Sequence, residues 1–262
     1  SLVSLMLAIP LLMAPARALI GYRSDHHRSY LGWRRIPYLW SGTLMQFGGL
    51  AFMPFALILM IEPHSGPPII GPIAAMGSFL LTGLGMHVSQ TAGLALATDL
   101  ATEESRPRVV ALLYLMLLVG MISSAVIFAA LLDDFSYVRL IQVIQSAAVI
   151  TLILNVAAMW KQEARYPELT HHEREKPTFG VAWNEFINLP KARRLLWALG
   201  LGTMGFTMQD ILLEPYGAHV LGLSVSETTL LTALFAGGMV LALLMTSRTL
   251  KKGVDPIRLA SV

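Results

Sequence analysis

Long apolar runs broken by short polar stretches organise this chain of 262 residues. Seven runs stand out: Ser1–Ile20, Tyr38–Ile61, Ile70–Thr98, Val109–Leu132, Val138–Trp160, Leu195–Leu213 (with an alternative end at Leu221) and Thr228–Thr246. About 20 residues of helix suffice to cross a hydrocarbon core of ~30 Å. A backbone in lipid must satisfy its own hydrogen bonds, and these runs lack the alternation of barrel strands. The pattern therefore predicts an all-α, polytopic membrane protein with seven transmembrane helices.

Composition agrees. The chain is 55% hydrophobic and only 13% charged, whereas a soluble domain carries about 25% charged residues. The net charge of +3 does not point to nucleic acid, because the basic residues lie in the loops between apolar runs. With no cysteine, disulfides, thiolate metal sites and cysteine nucleophiles are excluded. No signal-peptide pattern is present. The first residue is serine and both ends abut apolar runs, so a piece of a longer chain is expected.

Charge gives an orientation. Of 19 basic residues, 18 fall on alternate connections: 21–37 with Arg17 just before it, 99–108, 161–194 and 247–258. Arg139 alone falls on the other side. By the positive-inside rule the basic connections are cytoplasmic. The polar segment 161–194 is the expected boundary between an N-terminal half, 1–160, and the start of a second half, 195–262. Its first part is a charged linker, in which His171 and His172 read as solvated. Its second part places Phe179, Ala182, Trp183, Phe186 and Ile187 at helical spacing, either as an amphipathic helix on the membrane surface or as plain linker.

Three groups of residues stand out against this background. The run Ile70–Thr98 is rich in small residues, which let helices or a flat ligand approach closely. His87 sits near its middle, with Gly83 one turn before it and Gln90 after it. A neutral imidazole can ligate a metal, including the magnesium of a chlorin, and Gly83 would leave room for the ring. A hydrogen bond from His87 to another helix is the competing reading. Gln209, Asp210 and Glu214 form the second group. Asp210 and Glu214 share a helix face, which suits proton or charge coupling unless Glu214 already lies in a hydrated loop. The third group is Asp25, Arg34, Arg35 and Asp99, expected at one membrane face as either an inner-face network locking helices together or solvated loop charges.

Gly21, Asp25, Arg34 and Arg35 resemble the glycine-x-x-x-aspartate and basic-pair motif of the major facilitator superfamily, with a longer gap before the basic pair. A similar basic stretch with one aspartate, SRTLKKGVDPIR, follows the seventh run about 225 residues later, as in a duplicated transporter fold. The stretches PARALIGYRSDHHRSYLGWRRIPY, QTAGLALATDLATEESRPRVVALLYLMLLVGM, LIQVIQSAAVITLILN and MQDILLEPYGAHVLGLS are similar to the PucC/LhaA branch of that superfamily. These are light-harvesting complex assembly proteins, also described as a bacteriochlorophyll delivery family. The resemblance implies that the seven helices are the second to eighth of about twelve. It also implies bacteriochlorophyll as cofactor or cargo, and antenna polypeptides or a reaction-centre antenna complex as partners. The implied location is the inner, intracytoplasmic photosynthetic membrane of a bacterium. LVGMISSAVIFAALL lacks the glycine-proline motif of proton antiporters in this superfamily, which argues against antiport.

No phosphate-cradling loop, G-x-S-x-G elbow or H-E-x-x-H motif occurs in the chain. The expected function is a non-enzymatic assembly factor that binds bacteriochlorophyll or antenna helices. A proton-coupled transporter of a porphyrin-like solute and a structural subunit of a photosynthetic complex remain as alternatives.

Overall fold

The computed structural model describes residues 6, 8–10, 13–27, 31–61, 67–165, 178–190 and 192–251. These form helices α1 (Ala16–Asp25), α2 (Ile36–Ile61), α3 (Ile70–Leu100), α4 (Arg106–Leu131), α5 (Tyr137–Met159), α6 (Phe179–Asn188), α7 (Ala192–His219) and α8 (Val225–Lys251). Among the described residues there is no β-strand. By length and composition, α2 to α5 and α8 can cross a membrane, so the chain is a polytopic helical membrane protein. α7 is as long, but Gly200, Gly202, Gly205, Gln209 and Asp210 interrupt its apolar run.

Local chemistry explains where the helices start and how their polar groups are met. Pro107 occupies the first turn of α4, where a missing N–H costs nothing. At α5, Ser136 caps the helix by accepting the Arg139 N–H. At α8, Glu227 Oε2 accepts the Ser224 N–H at 2.8 Å, and the Glu227 N–H reaches Ser224 Oγ at 3.3 Å. That is a reciprocal capping box. Inside α3, the hydroxyls of Ser78, Thr82, Thr91 and Thr98 each donate to the carbonyl four residues back, so they need no water within an apolar medium.

Three expectations change. The run Ser1–Ile20 is not one helix over its described residues: residues 13–15 form turns between helical residues 8–10 and α1. Pro10 and Pro15 limit helix continuity there. The first connection begins later than Gly21, because α1 continues to Asp25. The expected sixth run extends through Pro215 to His219, so Glu214 is helical. The amphipathic helix expected around Trp183 is α6; most of the charged linker before it lies outside the described residues, as do His171, His172 and Arg28.

The chain divides into two compact units, Ser1–Leu100 with Ser136–Ile211, and Ala101–Phe135 with Leu212–Val262. The units are interleaved along the chain. The reason is pairing: α4 packs on α8, far away in sequence. In the first unit α2 packs on α3 and α5, and α1 packs on α3. Met6, Ala56 and Ala75 form a buried apolar cluster there, with Leu57, Met60, Ala74 and Phe79 around it.

Glycines set the α2–α3 distance. A Cβ on Gly85 would stand 2.6 Å from both the Gln46 nitrogen and the Gly42 carbonyl oxygen. One on Gly42 would stand 2.8 Å from the Gly85 carbonyl oxygen. Gly42 and Gly49, and opposite them Ser78 and Gly85, recur at seven-residue spacing, so each pair returns to the same helix face. The small-residue stripe of α3 is therefore largely taken up by α2.

Candidate functional site

At one end of the first unit, α1 and α3 finish, α2 begins, and the chain leaves α5. The guanidinium of Arg35 lies at this meeting point and is only 5% exposed. Its Nη1 donates to Ser24 Oγ at 2.6 Å and pairs with Asp25. Its Nη2 and Nε donate to Asp99 Oδ2 at 3.0 and 3.4 Å. Arg34 Nη2 lies 3.7 Å from the same Asp99 oxygen. One planar fork thus links the C-terminal ends of α1 and α3 to the start of α2, a task suited to arginine's fixed donor geometry. The structure brings together all four residues expected in the inner-face network: Asp25, Arg34, Arg35 and Asp99.

Glu163 is a fifth member that the sequence reading placed in a mobile linker. Its carboxylate accepts the backbone N–H groups of Arg34 at 2.9 Å, Arg35 at 3.0 Å and Ile36 at 3.0 Å. These are donors at the start of α2 that have no partner within the helix. A carboxylate there also meets the positive end of the helix dipole. A signal existed in the sequence: the WRRIPY stretch has proline for its first turn but no Ser, Thr, Asp or Asn in front to act as a cap.

The second candidate group lies on α3. His87 is 4% exposed, and its Nε2 is 3.0 Å from the Pro10 carbonyl oxygen. A carbonyl only accepts, so Nε2 carries the proton, and Nδ1 is a buried lone pair with no hydrogen-bond partner among the described residues. The space beside Gly83 is filled by the Pro10 ring. Gln90 Oε1 accepts from Arg17 Nη2 at 3.2 Å, and Arg17 Nε donates to Thr91 Oγ1 at 3.2 Å. All three residues read as a pigment site, His87, Gly83 and Gln90, are thus engaged by the segment around Pro10 and Arg17. The room expected beside Gly83 for a flat ring is taken by Pro10, and the remaining ring lone pair, on Nδ1, is buried.

Gln209, Asp210 and Glu214 lie on α7. Gln209 is exposed. The side chain of Asp210 lies outside the described residues. Glu214 Oε1 accepts a 2.8 Å hydrogen bond from Thr232 on α8. Nearby, a Cβ on Gly217 would stand 2.9 Å from Leu231 and 3.2 Å from Thr228, so the end of α7 lies close against α8. Among the described residues no cluster of His, Asp and Glu could hold a metal ion.

An all-helical chain with several membrane-length spans and one shared charged cluster defines a polytopic membrane helix bundle. The profile of the PUCC protein family matches residues 1–262. The chain is 53% identical to Protein PucC of Rhodovulum sulfidophilum, over 99% of this chain and 59% of that protein. It is 52% identical to Protein PucC of Rhodobacter capsulatus, over 98% of this chain and 57% of that protein. A more distant relative is the "Bacteriochlorophyll synthase 44.5 kDa chain" of Rhodobacter capsulatus, 27% identical over 74% of this chain and 44% of that protein. The chain belongs to the PucC family, and it spans a little over half the length of the PucC proteins it matches. No solved structure matches it.

Proposed function

We propose that the chain is part of a membrane assembly factor for photosynthetic antenna, one that holds bacteriochlorophyll or antenna polypeptides during assembly and performs no covalent chemistry. The observation that carries this reading is a groove of about 340 Å³ on α2 and α3. Phe52, Phe55, Leu59 and Leu81 line it together with Gly48 and Gly77. A Cβ on Gly77 would meet nothing within 4 Å, so the glycine leaves the groove open. Such a surface suits the hydrocarbon chain of a pigment and demands no polar partner. Family membership supports the assignment, as does the pigment in one relative's name. In this reading the protein follows the major facilitator plan and lies in the inner, intracytoplasmic membrane, with connections 21–37, 99–108, 161–194 and 247–258 on the cytoplasmic side.

The test is purification of the full-length protein from pigment-making cells. Bacteriochlorophyll absorbance should accompany the wild type and fall in Gly77→Leu, which fills the groove from a position where an added Cβ meets nothing within 4 Å. Pigment-free wild-type protein, with antenna levels unchanged in a deletion strain, would overturn the proposal.

A second reading is a proton-coupled transporter, favoured by Glu214 at the approach of α7 to α8. Uptake of a porphyrin-like solute into reconstituted vesicles should then require a pH gradient and be lost in Glu214→Gln.

A further inference from the structure

Where α5 ends, the chain reverses. Its last helical residue is Met159, Trp160 is extended, and Lys161 has φ of 56°. This is a left-handed conformation that a non-glycine residue adopts at a cost. The reversal carries Glu163 to the start of α2 and leaves a cavity of about 860 Å³ between the two helix ends. That lies within the range of about 300–1,000 Å³ typical of small-ligand sites.

The cavity changes character with depth. Trp40, Val156 and Met159 make its apolar part, continuous with spans α2 and α5. Trp33, Trp160, Lys161 and Arg165 make its rim. Trp160 is 71% exposed, and indoles favour the headgroup level of a bilayer. The Arg165 guanidinium lies 4.4 Å from the centre of the Trp33 ring, a cation–π contact that holds the charge at the rim. The carboxylate lining the cavity is Glu163. Its oxygens accept three backbone N–H groups of the α2 start, and with Lys161 and Arg165 against this one carboxylate the lining keeps a net positive charge.

We infer that this cavity is a binding site for an anionic phospholipid. The phosphate sits on Lys161 and Arg165, and the acyl chains pass Trp40, Val156 and Met159 along the outsides of α2 and α5. The net positive lining, Lys161 and Arg165 against Glu163, selects an anionic headgroup over a zwitterionic one. The apolar depth selects a lipid over a soluble anion. The inference rests on the membrane spans and is independent of the proposed role with pigment.

The experiment uses the full-length protein with every tryptophan outside the cavity, Trp183 and Trp197 among them, changed to Phe, which leaves the three of the cavity. It is reconstituted in bilayers containing brominated phosphatidylglycerol or brominated phosphatidylcholine at equal mole fraction, and quenching of tryptophan fluorescence is read. Stronger quenching by phosphatidylglycerol is expected. The preference should fall about fivefold for each cation removed by Lys161→Gln and Arg165→Gln, and survive in the charge-keeping Lys161→Arg with Arg165→Lys. Equal quenching by both lipids overturns the inference, as does a preference that survives the Gln changes or is lost in the charge-keeping protein. Loss of the preference on adding inorganic phosphate would assign the cations to a soluble anion and overturn it too.

Discussion

Glu163 receives the backbone N–H of Arg35 on both carboxylate oxygens, at 3.0 and 3.2 Å, although 128 residues separate the two. The contact ties the exit of α5 to the entry of α2. Glu163→Ala would strip three N–H groups of a charged acceptor at the positive end of a helix. We expect a loss of about 1–2 kcal/mol, read as a lower unfolding midpoint in detergent. Glu163→Gln, which keeps one acceptor oxygen and loses the charge, should fall between Ala and wild type.

Arg35 and its two carboxylates should respond unequally. Arg35 is 5% exposed, whereas Asp25 and Asp99 are 49% and 41% exposed. Removing both carboxylates, as Asp25→Asn with Asp99→Asn, leaves a buried cation without a counter-charge, at a cost of about 3–5 kcal/mol. Arg35→Gln leaves two carboxylates that water can reach, and costs less. The two variants should therefore rank in that order in the same unfolding measurement. Equal losses would mean that the cluster acts as ordinary surface pairs.

His87 holds the α3 face to the segment containing Pro10 through one hydrogen bond. His87→Ala would remove the donor, leave the Pro10 carbonyl with the Met13 N–H alone and open a cavity, for a loss of about 2–4 kcal/mol. His87→Gln can still offer an N–H to that carbonyl and should lose less. If pigment travels with the protein, its absorbance should survive in His87→Gln, because the Pro10 ring fills the space beside Gly83 that a flat ring would need. Disappearance of the pigment from a folded His87→Gln protein would return the histidine to the ligand role.

The sequence made the helices readable, because hydropathy and length are local properties and lipid leaves the backbone few alternatives. It also brought Asp25, Arg34, Arg35 and Asp99 together, since charges confined to one membrane face have little room to separate. Helix partners were harder to read. Nothing local in LVGMISSAVIFAALL says that α4 packs on α8. Nor does anything in Pro10 announce that its ring occupies the space beside Gly83. Glu163 escaped because it sits among other charged residues, and only the turn at Lys161 carries it to α2. Small residues along α3 show that something approaches closely without naming it, and in the fold it is mainly α2.

That close approach separates glycines that look alike in sequence. Gly85 and Gly77 both lie on α3, eight residues apart. An added methyl at Gly85 would stand 2.6 Å from backbone atoms of α2, which cannot move as a side-chain tip can. Gly85→Ala must push the helices apart, at an expected cost of about 1–3 kcal/mol. At Gly77 the same methyl meets nothing within 4 Å, and the better helix propensity of alanine gives a change between zero and about 1 kcal/mol of stabilisation. Unfolding midpoints of the two single variants in one detergent compare them directly. A Gly85→Ala protein as stable as the wild type would show that α2 and α3 are not in backbone contact.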